Sequence, residues 1–270
     1  MELISASRIA KAREAVEAAR PYAKMITRVI RDLTSESEVA DHPLFAPHET
    51  IDAVGVIVIT SDRGLAGAYN SNALRRAERL IAEEEGEGRS VRLYVVGGKA
   101  ETHFRYRNRR PDRVWTGMSD QPRYANAQEV SQRVFADYAA GDIDRVWLVF
   151  TDFRSAMSQI AAVTKLMPVD PKPFEGGQAY PASFEFEPEP SAILERLLPR
   201  YIEHRLYAGL LESSASEHAS RQRAMKAATD NAGEVIEQLT REQNRARQAS
   251  ITTEITEIVG GAEALASDKR

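Results

Sequence analysis

At 270 residues, with 43% hydrophobic and 28% charged residues, the chain is long enough for one large domain or two modest ones. A formal charge of -4 gives no basic excess that would argue for nucleic acid, and the lack of cysteine excludes disulfides, thiolate nucleophiles and cysteine-ligated metals. No apolar run approaches the length of about 18 residues that a membrane span needs, and the opening MELISASRIAKAREAVEAAR lacks a signal peptide's apolar core, so a cytoplasmic protein is expected.

The first block reads as a helix. Back from Leu33, alternating steps of three and four meet Ile30, Ile26, Ala23, Ala19, Val16, Ala12 and Ile9, an apolar heptad seam. Pro21 removes one backbone donor and is expected to kink it. The proline-containing stretch DHPLFAPHET, residues 41–50, closes the block.

The second block alternates strands with helices. The β-branched run over residues 53–60 suits a buried strand, and residues 91–96 and 145–150 read as further strands. Helical patterns fill residues 72–85 and 125–140, so βαβ units and a parallel sheet follow. Residues 160–167 are expected to add an antiparallel edge strand, followed by a Pro/Gly-rich loop from Pro168 to Pro190.

In the third block no proline follows Pro199, and Tyr201 to Ile258 reads as a helix of roughly 85–90 Å at ~1.5 Å per residue. Its heptad seam is Leu211, Ala215, His218, Gln222, Met225, Thr229, Ala232, Ile236, Leu239, Gln243, Ala246 and Ser250. That mixture of apolar, small and polar residues suits a shallow coiled coil with another helix of the same chain better than a tight zipper. The fold expected is α/β: a long antiparallel coiled coil of N- and C-terminal helices plus a middle α/β domain built on a parallel sheet. Residues 1–40 and 191–270 would form the shaft and residues 51–190 the foot. If Leu33 lies near Arg205, Met1 falls close to Gln238, and the apolar stripe Ile251, Ile255, Ile258 and Val259 is left without a partner inside the chain.

Chemistry-bearing motifs are sparse. The segment Ser61-Asp-Arg-Gly-Leu-Ala-Gly-Ala-Tyr-Asn70 joins a strand to a helix, where phosphate can be cradled. It lacks the spacing of either glycine-rich phosphate fingerprint, so a tight turn with a docking surface is favoured over nucleotide binding. Val95-Val-Gly-Gly-Lys99 reads as a structural turn on the same grounds. His42, His48, His103, His204 and His218 have no metal-ligand spacing, and no catalytic constellation, metal or cofactor is expected. On the long helix Arg221, Arg223, Lys226, Arg241, Arg245 and Arg247 alternate with Glu217, Asp230, Glu234, Glu237 and Glu242. This is either a solvated face or a track of switchable contacts, and composition does not decide between them.

Three segments together resemble the gamma subunit of F-type ATP synthases: Glu2-Leu-Ile-Ser-Ala-Ser-Arg-Ile-Ala10, the Ser61–Asn70 loop with Ala66 where cysteine is common, and Glu217 to Ala232 continuing through Asn244 to Ala262. The resemblance runs essentially end to end. It implies a Rossmann-like α/β middle domain and a non-catalytic central-stalk rotor on the cytoplasmic face of a bacterial plasma membrane, coupling proton flow to ATP synthesis. The implied partners are the alpha and beta subunits of the catalytic ring, the epsilon subunit and the membrane c-ring, with no nucleic acid and no membrane span of its own. By position in the matched motifs, Met1, Arg221, Gln248 and Thr252 resemble ring-contacting residues, and the stripe Ile251, Ile255, Ile258 and Val259 would turn in a sleeve of the ring. Family members carry a further basic, helical segment before the position of Met1, so a misassigned start or a fragment is expected. Two other readings remain: a nucleotide-dependent enzyme on the α/β block, which would bind nucleotide when purified alone, and a coiled-coil scaffold, which would dimerise through its helices.

Overall fold

The computed structural model describes residues 2–36, 44–45, 50–170, 174 and 189–267. These form two compact units, Met1–Ala224 and Met225–Arg270. Among the described residues no helix is long and apolar enough to cross a membrane.

The first element, α1 (Glu2–Glu36), continues unbroken through Pro21. Its buried or half-buried positions Ile9, Ala12, Val16, Ala19, Ala23, Ile26, Ile30 and Leu33 are the heptad seam of the sequence. The α/β body follows as β1 (Ala53–Ile59), α2 (Tyr69–Gly86), β2 (Ser90–Val96), α3 (Gly98–Tyr106), β3 (Arg113–Trp115), α4 (Tyr124–Ala139), β4 (Arg145–Phe153) and β5 (Gln159–Met167). The sheet order is β3-β2-β1-β4-β5. β1 pairs in parallel with β2 and β4, β2 in parallel with β3, and β5 closes the sheet antiparallel to β4. The short β3 and the helix α3 are additions to the expected pattern.

Side-chain alternation along β1 divides the interior into two cores. Val54, Val56 and Val58 face α2 and α3, where they meet Leu74, Leu80, Ile81 and Phe104. Ile57 and Ile59 face the other way, toward Val130 and Val134 of α4 and the apolar residues of α1 and α5. Gly97, at the end of β2, has φ +102, and an ideal Cβ there would lie 2.7 Å from the Thr60 carbonyl carbon. Only glycine fits that crossing, which explains the first glycine of the pair ahead of Lys99.

α5 (Pro190–Ser267) is a 78-residue helix that contains Pro199 and so begins earlier than expected. Leu194, Leu198, Tyr201, Ile202, Leu206 and Leu210 pack into the same core as Ile26, Ile30 and Leu33 of α1. At Gly209 an added Cβ would come 2.9 Å from Leu148 Cδ2, so the missing side chain lets α5 lie close against β4. The antiparallel register differs from the expected pairing of Leu33 with Arg205. The Tyr22 and His204 rings lie 5.0 Å apart, moving α1 roughly three turns along α5. Arg8 of α1 accordingly pairs with the same Asp120 that His218 approaches. The heptad seam predicts the buried face of α1 correctly but leaves the offset between the two helices open. The expected position of Met1 and most of the Pro168–Pro190 loop lie outside the described residues.

Candidate functional site

The Ser61–Asn70 loop is held by its own side chains together with Ser119 and Gly98. The Ser61 amide donates to Asn70 Oδ1 at 3.0 Å, and the Asp62 amide to Ser119 Oγ at 3.0 Å. The Asp62 carboxylate in turn accepts from the Gly98 and Ser119 amides at 3.1 and 3.2 Å. The Ser61, Asp62 and Gly98 amides at the strand ends are thereby occupied, and a carboxylate stands there, where it would repel a phosphate. This geometry favours the turn and docking reading over nucleotide binding. At the loop's outer end Leu65 has φ 60, and its side chain is exposed.

The loop's inner side lies against α5. Arg221 is buried, 6% exposed, and donates through Nη2 to Glu217 Oε1 at 2.7 Å and toward the Gly64 carbonyl at 3.4 Å. Burial raises the Glu217 carboxyl above its usual range, and the Arg221 guanidinium works against that rise. Tyr69, also buried, has its hydroxyl pushed up chiefly by burial, with Glu217 adding to the effect. Ser213 Oγ accepts from the Thr151 amide at 3.1 Å, and Ser216 donates to the Thr151 carbonyl at 3.2 Å. Ser214 Oγ donates to the Asp120 carbonyl at 3.1 Å, and His218 Nε2 lies 3.1 Å from the same oxygen. Burial lowers the affinity of His218 for a proton.

Glu217 and Arg221 thus leave the proposed surface track and form a buried pair. Their i,i+4 spacing is the sequence signal for it, and the small-residue run Ser213-Ser-Ala-Ser216 signals close packing of the helix there. Neither signal says which face is covered, so Tyr69, Thr151 and Asp120 went unrecognised as partners. Among the described residues no group of three or more His, Asp or Glu side chains could hold a metal ion.

The second unit is one helical stretch, exposed along residues 226–262. Ile251, Ile255, Ile258 and Val259 are 47%, 56%, 72% and 52% exposed, at a spacing that places them along one helical face. Val235, Ile236 and Leu239 form a second exposed apolar group, of which Val235 lay outside the sequence-derived seam. Gln248 and Thr252 are exposed, with the Thr252 hydroxyl donating to the Gln248 carbonyl at 2.8 Å. The seam residues Thr229, Ala232, Gln243, Ala246 and Ser250 are exposed as well. Met1 lies outside the described residues.

A protein-family profile described as ATP synthase matches residues 1–265. The chain is similar to the ATP synthase gamma chain of Parafrankia sp. (strain EAN1pec), with 51% identity over 99% of this chain and 91% of the relative. It is 47% identical to the ATP synthase gamma chain of Salinispora tropica over the same shares of the two chains. In fold it resembles a chain from the central stalk and c-ring of the Tetrahymena thermophila mitochondrial ATP synthase, with TM-score 0.65 and 24% identity over 85% of this chain and 97% of that one.

Proposed function

The chain belongs to the ATP synthase gamma-chain family, and on that premise we propose that it is the central-stalk rotor of an F-type ATP synthase. Residues 1–40 and 191–270 serve as the shaft and residues 51–190 as the foot. The alpha and beta subunits surround the shaft, and the epsilon subunit and membrane c-ring engage the foot. Turning of the c-ring under proton flow rotates the shaft and drives the catalytic sites of the ring in sequence. The subunit itself performs no chemistry. In support, Asn70, Ser119 and Asp62 take up the Ser61, Asp62 and Gly98 amides at the strand ends. The complex would sit on the cytoplasmic face of the bacterial plasma membrane, with this chain attached peripherally.

The observation that carries this reading is the stripe Ile251, Ile255, Ile258 and Val259, about half exposed or more on a helix to which no other described part of its unit offers a cover. Four large aliphatic side chains along one helical face are costly to leave in water, and an encircling apolar sleeve would cover them without fixing their angle. Gln248 and Thr252 lie within a turn of the stripe as polar contacts. Arg221, buried beside Glu217, and Met1 complete the set of contact candidates. The test is replacement of Ile251 and Ile258 by aspartate, followed by co-purification with the alpha and beta subunits. The double variant is expected to retain at least about tenfold less ring than the parent chain, since burying two carboxylates opposes association. Equal retention would remove the stripe from the interface.

A further inference from the structure

We propose that α5 is fastened within the first unit by two mechanically different stretches: an apolar anchor from Leu194 to Leu210, followed by a polar seam from Ser213 to Arg223 that opens locally while the anchor holds. The anchor residues Leu194, Leu198, Leu206 and Leu210 are each at most 2% exposed, within the core shared with α1 and the sheet. Opening them exposes apolar area to water, which nothing in the solvent repays.

The seam is as well buried but differently made. Ser213, Ser214, Ser216, Glu217, His218, Ser220 and Arg221 are all buried, interleaved with Ala215 and Ala219. Their partners across the seam are largely main-chain groups: the Thr151 amide and carbonyl, the Asp120 carbonyl, and the Gly64 carbonyl. Arg223 adds a bond to the Met157 carbonyl at 2.8 Å and another to the Gln159 side chain. Water can replace each of these bonds when the seam parts, so each resists opening only by its small net contribution. Serine and alanine side chains also present no long knobs to lock the helix laterally.

The closed seam is itself incompletely satisfied. Tyr69 Oη, Thr151 Oγ1, Glu217 Oε2 and His218 Nδ1 are buried without a hydrogen-bond partner. The Tyr69 hydroxyl lies among the side chains of Ser213, Thr151, Glu217 and Arg221. Buried polar groups in this condition regain their bonds on hydration, which lowers the free energy of the open state relative to an apolar joint. The helix is therefore clamped at one stretch and releasable at the next. Use of the seam as a compliant joint in a torque-bearing stalk rests on the rotor reading; the seam itself does not.

Native-state hydrogen exchange on the complete chain tests the device independently of any synthase. The Thr151 amide is the key reporter, because its acceptor is the Ser213 hydroxyl of the seam and not a backbone carbonyl. Amides of residues 212–223 and the Thr151 amide are expected to exchange together, about tenfold or more faster than those of residues 198–210 and of Leu148 and Val149. In Ser213→Ala the Thr151 and seam amides are expected to accelerate further, with the anchor unchanged. A Thr151 amide as slow as its β4 neighbours would overturn the proposal. So would a Ser213→Ala variant that speeds anchor and seam alike, or neither.

Discussion

Truncating Ile30 tests the packing of α1 on α5 at its most enclosed point. The side chain is fully buried in α1 and lies in the core that holds Leu194 and Leu198 of α5. Ile30→Ala removes three carbons, worth roughly 2.4 kcal/mol at about 0.8 kcal/mol each. A partly collapsed cavity adds about 1 kcal/mol, for a total loss of about 3–4 kcal/mol. Ile4 of the same helix is 54% exposed, so Ile4→Ala is expected to stay within about 0.5 kcal/mol of the parent. Urea unfolding followed by tryptophan fluorescence is the suitable assay, because Trp115 and Trp147 pack against the two cores of the sheet. The midpoint should fall with the slope preserved. A loss below about 1 kcal/mol for Ile30→Ala, or one equal to that of Ile4→Ala, would refute the inferred interface.

Two further substitutions probe local features. Gly97→Ala must place a methyl group against the Thr60 carbonyl at φ +102, and is expected to destabilise by about 3 kcal/mol or more, read from the same unfolding curves. Glu212 is raised from 4.5 to about 7, chiefly by burial and then by Asp152, with Arg20 and Arg205 opposing. A carboxyl raised on folding stabilises the native state fully below its unfolded value and loses that contribution as pH rises through about 7. Glu212→Gln should therefore gain stability relative to the parent between pH 5 and pH 8, and a difference that stays flat across that range would contradict the assignment. His204 and His218, both lowered mainly by burial, act oppositely in parent and variant alike, costing stability as pH falls below 6.5. They cancel in the comparison.

How much the amino-acid order revealed differs from element to element for physical reasons. Period-3.5 spacing exposes a helix face directly, so the α1 seam from Ile9 to Leu33 was readable residue by residue. The β-branched runs of β1, β2 and β4 were equally plain, because burial on both faces leaves few polar interruptions. β3 was hidden, since three residues, Arg-Val-Trp, give no period to detect. α3, at nine residues, is too short to display an amphipathic repeat beside its glycine turn. The polar seam is the instructive miss. Serine, glutamate, histidine and arginine read as surface residues, yet from Ser213 to Arg221 they are buried by β4, the Ser61–Asn70 loop and Asp120. Those partners lie about 60 to 160 positions away in the chain, at separations that no local pattern encodes.

The rotor assignment is tested most directly by co-expressing the chain with the alpha and beta subunits, in its present form and extended by its upstream codons, and measuring ATP hydrolysis by the purified assembly. At least one form is expected to co-purify at one copy per ring and to be required for turnover. If neither form joins the ring, or the ring hydrolyses ATP equally well without it, the rotor assignment is contradicted.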